Sequence, residues 1–388
     1  MKSFLVNLVI ALVGIAVLIG VIFYWSSLRD KWPAAPKPAQ DIAKTINTTG
    51  MPLNLPDGFS IEIFAKDLPG ARVMAFDKPG NMWVSQTGDG KISQLIIQNG
   101  KVADQQTAFR NLQKPHGLAF DLKDQSRLYF AEENKVSAAT LNDNPVLRKL
   151  IDLPAGGGHF TRTLSFGPDK RLYVSIGSSC NVCNEGDLRR AAIYSMNSDG
   201  SDFKLFAKGL RNTLFFAWDE EGRMWGTDMG RDYLGDNLPP DEINIIEQGR
   251  DYGWPFCFGK QAHDDNYDDD NNRSCSQTQA AQIELPAHSA PLGLAFIPKG
   301  FGPADWEGDL IVALHGSWNR SEPTGYKLIR VKLDDQGNFE RFEDFITGWL
   351  QGSTALGRPV DVLIRVDGNA MYVSDDKAGM IYKISYKL

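Results

Sequence analysis

Four stretches of the chain place histidine, arginine or asparagine where no strand or turn requires them. GGGHFTRT (156–163) carries His159 and Arg162, and GLRNTLFFAW (209–218) carries Arg211 and Asn212 just ahead of an apolar run. TDMGRDYLGDNLPPDEINII (227–246) follows that run with Gly230, Arg231, Asp241 and Glu242. Near the C-terminal end, ALHGSWNRSEPTGYK and GRPVDV hold His315, Trp318, Asn319, Arg320, Arg358 and Asp361. An unperturbed imidazole titrates near neutral pH, so His159 is a candidate proton acceptor. Three glycines before it let the backbone bend sharply or lie close to a ligand. Several guanidinium groups, each able to grip carboxylate oxygens in a fork, suit a multiply charged anion. Any one of these residues alone reads as an ordinary loop side chain; their recurrence at matched places makes them a candidate site.

The elements that must position them form a repeat. The unit is an apolar strand, a polar turn usually carrying Asp and Gly, and a second strand centred on an aromatic. It runs through VMAFDKPGNMWVSQ (73–86), GLAFDLKDQSRLYFAE (117–132) and TLSFGPDKRLYVSIG (163–177). It returns in FFAWDEEGRMWGTD (215–228), GLAFIPKGFGPADWEGDLIVALHG (293–316) and DVLIRVDGNAMYVSDD (361–376). Further strand-like segments follow most copies, which suits small antiparallel sheets packed face to face in a β-propeller. Six copies predict six blades, with seven as the alternative. Trp83, Tyr129, Tyr173, Trp225 and Tyr372 fall at equivalent positions, where inter-blade packing is the expected role. The spacing leaves an insertion over 247–290. Its run DDNYDDDNNRSC does not meet the calcium-loop pattern, lacking the glycine and glutamate that pattern needs.

Residues 1–31 read differently. Phe4 to Trp25 is apolar and uncharged, long enough to cross a bilayer as a helix. Residues 32–56, rich in Pro, Ala, Thr and Asn, read as a tether to a propeller over 57–388. The four cysteines, Cys180, Cys183, Cys257 and Cys275, all lie beyond the apolar run, and two disulfides of open connectivity are preferred to a four-thiolate zinc site. Together these features predict a single-pass inner-membrane protein with its propeller facing the periplasm. The formal net charge of −7, with no basic stripe, argues against nucleic acid as a partner. No nucleophile elbow, dinucleotide fingerprint or P-loop is present.

The chain from about 51 to 388 resembles the glucose/sorbosone dehydrogenase family, most of all its sorbosone and pyranose dehydrogenase branch. The strings that carry the likeness, in order, are HFTRTLSFGPDKRLYVSIGSSCNVC, GLRNTLFFAWDEEGRMWGTDMG, DEINII, DYGWPFCFG, HGSWNRSEPTGYK and GRPVDV. The resemblance implies a six-bladed propeller that uses pyrroloquinoline quinone (PQQ) with calcium to oxidise a sugar. It implies His159 as general base, Arg211 as the group that stabilises charge on the quinone oxygen, and Asn212 as a neighbouring cofactor contact. It implies that the carbonyls of Gly230 and Arg231 bind Ca2+ and that Arg358 pairs with a cofactor carboxylate. Arg162, Arg320 and Asp361 complete the expected cofactor-binding set. Two departures stand out: Val360 occupies the place of a second family arginine, and a fifth-blade lysine is missing, with Arg320 or His315 as substitutes. The resulting expectation is a quinoprotein oxidising an aldose or sugar aldehyde and passing electrons to an unidentified acceptor. The alternatives are a non-catalytic propeller that binds a sugar or a partner protein, and a calcium-dependent lactonase.

Overall fold

The strand–turn–strand repeat folds into blades because each second strand is apolar on both faces and must be covered from both sides. The computed structural model describes Ile15 and residues 45–387, except 122–125, 142–145, 269–272, 335 and 366–368. Blade one is Ala71–Phe76, Met82–Gln86, Lys91–Gln98 and Lys101–Phe109, paired antiparallel in chain order. Blade two runs from Leu118–Phe120 to Val146–Asp152 and blade three from Leu164–Phe166 to Lys204–Lys208. Blade four is Thr213–Trp218, Met224–Asp228, Asp241–Ile246 and Ile283–Leu285; blade five runs from Pro291–Phe296 to Phe339–Ile346. Blade six takes Pro359–Arg365, Ala370–Asp375 and Met380–Tyr386, and its fourth strand, Phe59–Ala65, comes from the other end of the propeller sequence. Six blades are therefore present, and each repeat copy read from the sequence is the inner half of one blade.

The second strands MWVSQ, LYVSI and LIVAL are buried throughout, whereas the outermost strand Lys101–Phe109 is almost wholly exposed and correspondingly polar. The recurrent aromatic spans the junction to the next blade. Trp83 packs on Phe120, Tyr129 on Phe166, Tyr173 on Trp218, Trp225 on Phe296 and Tyr372 on Phe76, with ring centroids 5.1–6.2 Å apart. In blade five Ile311 takes the aromatic's register position, and it packs in a cluster where Phe59, Phe301 and Phe345 supply the rings instead. The turn aspartate has a purpose too: Trp83 Nε1 donates to Asp77 at 3.0 Å, Trp225 Nε1 to Asp219 at 2.8 Å and Tyr173 Oη to Asp169 at 2.9 Å. An acidic turn thus satisfies the polar end of an otherwise buried ring.

The cysteines form two disulfides, Cys180–Cys183 and Cys257–Cys275, which fixes the pairing left open by the sequence and removes the zinc alternative. The range 247–290 contains a short hairpin, Cys257–Phe258 with Ala262–His263, and also supplies the outer strand of blade four. Most of the stretch read as a tether lies outside the described residues. Its described part is packed: Ile46–Asn47 pairs in parallel with Phe59–Ala65, and Leu53 is buried. Apart from Ile15, the expected helix over Phe4–Trp25 also lies outside the described residues. Among the described residues no helix is long and apolar enough to cross a membrane. The inner-membrane, periplasm-facing placement drawn from the sequence is corrected on that ground.

Candidate active site

The loops that lead into the inner strands and those that leave the second strands meet at one end of the blades. There they surround an open cavity of about 700 Å³. His159, Arg211 and Asn212 enter it from loops ahead of inner strands, as do His288 and Arg358. Gly230, Asp232, His315, Trp318 and Asn319 reach it from loops that follow second strands. Buried carboxylates at the ends of second strands, and one at the start of the third strand of blade four, hold these loops. Asp228 accepts from the backbone N–H of Arg211 (3.0 Å) and of Asn212 (2.6 Å), and Asp375 accepts from that of Arg358 (2.8 Å). Asp241 ties Gly230 N and Ala290 N together, at 2.9 and 2.8 Å. Burial pushes Asp228 up to about 7 and Asp241 up to about 6, with the backbone N–H groups opposing the shift.

His159 turns its Nδ1 toward Ser178, 2.8 Å from Oγ and 3.1 Å from the carbonyl oxygen. Ser178 Oγ donates its own proton to Cys180 O at 2.7 Å, so both Ser178 oxygens act as acceptors toward the ring. We therefore assign the Nδ1–H tautomer, which leaves the Nε2 lone pair unprotonated. Burial, then the nearby Arg211 charge, brings the imidazole down to about 3, keeping it neutral. Gly177 is required beneath it, because a Cβ there would stand 2.6 Å from Asn212 Oδ1 and 2.7 Å from His159 Cβ.

Arg211 is almost fully buried. It donates from Nε to Asn181 O (2.9 Å), from Nη2 to Asn181 Oδ1 (2.8 Å) and from Nη1 to Met229 O (3.2 Å), with Asp232 3.5 Å away. Arg358 donates to His315 O and Gly316 O at 3.2 and 2.7 Å, and lies over the Tyr326 ring. His315 Nε2 sits 3.0 Å from both oxygens of Asp376, which also receives Arg72 at 2.7 Å. Burial, despite the Asp376 partner, brings His315 down to about 4. His288 and Asn319 close the opposite rim, Asn319 Nδ2 donating to Asp232 at 2.6 Å.

The match of a family model to residues 53–387 decides the kinship. The chain belongs to the TrAA12-like family. An uncharacterized protein of Borreliella burgdorferi is 32% identical over 86% of this chain and 91% of its own. A pyrroloquinoline quinone-dependent pyranose dehydrogenase of Coprinopsis cinerea is 24% identical over 92% of this chain, which spans only 56% of that longer protein. Among solved structures, the calcium structure of a Trichoderma reesei family AA12 enzyme superposes with a TM-score of 0.75 at 20% identity, over 88% of this chain and 100% of that one. The TrAA12-like family is one of PQQ-dependent sugar dehydrogenases, in agreement with the resemblance read from the sequence.

Of the residues to which the sequence assigned a catalytic, cofactor or metal role in this TrAA12-like chain, His159, Arg211, Asn212, Gly230 and Arg358 share the cavity. Four others do not line it. Arg162 is wholly buried and donates to the carbonyls of Pro154, His159 and Thr161, bracing the His159 loop. Arg231 pairs with Asp264 at 3.0 Å, and Arg320 donates to the carbonyls of Asp236 and Ala287. Asp361 is buried and accepts from Met74 N at 2.8 Å, joining blade six to blade one; burial pushes it up to about 7. His288, Asp232, Arg72 and Asp376 were not singled out. His288 stands three residues ahead of an inner strand, much as Arg211 stands two ahead of one, and that spacing was its available signal.

Proposed function

We propose that this protein is a PQQ-dependent dehydrogenase that oxidises an aldose or sugar aldehyde, with His159 as the proton acceptor. The observation that carries the reading is a neutral imidazole with its Nε2 lone pair unprotonated, in one cavity with the Arg211 and Arg358 guanidinium groups. The donor set fits a flat, multiply carboxylated quinone: guanidinium forks suit carboxylates, and two amides and two further imidazoles surround the same space. Bound PQQ would supply a two-electron, hydride-accepting centre. Arg358 would hold one of its carboxylates and Asn212 a polar edge. The carbonyls of Gly230 and Arg231 accept no hydrogen bond among the described residues, which suits a hard cation such as Ca2+.

The residues of the chain supply the rest. His159 Nε2 takes the proton of the sugar hydroxyl as the C–H bond breaks, while Ser178 receives the Nδ1–H and keeps the ring in orientation. Arg211 presents fixed positive charge to the oxygen on which negative charge develops, an assistance of the oxyanion-hole kind. Trp318, exposed at the mouth, and Asn319 bound the space left for the substrate. A titration of the full chain with PQQ, followed by tryptophan fluorescence, tests the reading. Saturable binding is expected with Ca2+ present and weakened by Arg358→Ala; no saturable binding with Ca2+ present would overturn it.

A further inference from the structure

The tight turn closed by Cys180–Cys183 touches both residues to which the proposed chemistry is assigned. It follows the second strand of blade three, and its first residues hold His159: Ser178 O and Oγ face the imidazole, and Ser178 Oγ is pinned by Cys180 O. Inside the disulfide ring, Asn181 offers two carbonyl oxygens to Arg211, the backbone oxygen to Nε and Oδ1 to Nη2. The same Oδ1 accepts from Asp232 N at 2.8 Å, and Asn181 Nδ2 donates to Asp232 O at 3.2 Å. A single neutral side chain thus ties the guanidinium to the loop that follows the second strand of blade four. The turn is fastened behind as well: Ser179 N and Oγ donate to the two oxygens of Glu185, and Gly158 N donates to Ser179 O.

We infer that Asn181, held in place by the Cys180–Cys183 ring, is the positioning residue of Arg211 and fixes the plane of its guanidinium in the cavity. Neutral carbonyls suit this task. They saturate one edge of the five-donor fork while leaving its charge intact, whereas a carboxylate in the same place would neutralise it. The disulfide supplies rigidity that the two residues between the cysteines, Asn181 and Val182, lack on their own, since a misplacement of even about 1 Å in a catalytic group costs on the order of a hundredfold in rate. The loop read from the sequence as a mere disulfide carrier is on this account part of the site.

The inference rests on the dehydrogenase reading, and its test separates the two. Asn181→Ala is expected to lower kcat for sugar oxidation by roughly tenfold or more while sugar KM stays within about twofold. In an Arg211→Ala background the same substitution should cost nothing further, because Asn181 acts through that guanidinium; a loop that merely loosens would give additive losses. Independently of activity, hydrogen exchange at the Asp232 amide should quicken in Asn181→Ala and in the Cys180→Ser/Cys183→Ser pair, with near-UV circular dichroism unchanged. A wild-type chain that turns over no sugar with PQQ would sink the functional reading. Unchanged exchange at Asp232, or additive losses while the wild type turns over, would sink the positioning of Arg211 alone.

Discussion

At His159 the imidazole gives its Nδ1 proton to a serine and a backbone carbonyl, not to a carboxylate. The usual acidic partner would raise its pKa; here burial and Arg211 lower it, to about 3. The sign follows. The proton-accepting form persists as pH falls well below the ordinary histidine value, so the acid limb of kcat should lie at about 3 and not near 6.5. The unfolded imidazole takes up a proton below about 6.5 while the folded one does not, so this residue makes stability fall as pH falls through that interval. A pH–rate profile together with melts between pH 4 and 7 checks both statements. His159→Ala should cut kcat by on the order of 10³-fold with PQQ binding retained, measured by dye reduction and by titration; surviving turnover removes His159 from the mechanism. Residue types were legible in the sequence, orientation was not. Arg162, Arg231 and Arg320 carry the right charge, yet each is turned into backbone carbonyls or an ion pair, a choice that depends on neighbours far away in the chain.

At the scale of the strand and turn, the repeat explains itself through one recurring hydrogen bond. Asp77, Asp169 and Asp219 each take a hydrogen bond from the aromatic that fills the next junction. Asp219→Ala should leave the Trp225 indole N–H buried without that partner, destabilising the protein by about 1–3 kcal/mol. Chemical denaturation, with Asp334→Ala in an exposed turn as the control, measures the difference. These blades were legible because a strand buried on both faces must be written as a continuous apolar run, and because large aromatics at a fixed register are hard to hide. The rim was harder to read. Asp228, Asp241 and Asp375 are buried carboxylates that hold loops by their backbone N–H groups, and nothing in local spacing separates them from solvated turn aspartates.

At the scale of the whole molecule, the ring is closed by pairing Phe59–Ala65 with Met380–Tyr386, segments more than 300 residues apart. Phe59 is buried among Phe301, Trp306, Phe345 and Tyr386. Phe59→Ala should therefore cost about 3–5 kcal/mol and lower the melting temperature of the entire ring, since Arg358 and His315 lie in blades beside this closure. Differential scanning calorimetry would show one transition displaced as a unit; a separate early transition would contradict a cooperative ring. Six blades were legible from six repeat copies, whereas the exchange of an outer strand between the two ends of the propeller sequence was not, because pairing over that distance leaves no periodic mark.

The proposed chemistry is oxidation of a sugar at bound PQQ in the cavity around His159, Arg211 and Arg358. The most direct measurement is anaerobic: load the full chain with PQQ and Ca2+, add single aldoses with no electron acceptor, and record the cofactor absorbance in a stopped flow. A single-turnover conversion to the reduced cofactor spectrum is expected with at least one aldose, and its loss in His159→Ala. An oxidised spectrum unchanged across a panel of aldoses and sugar aldehydes would contradict it.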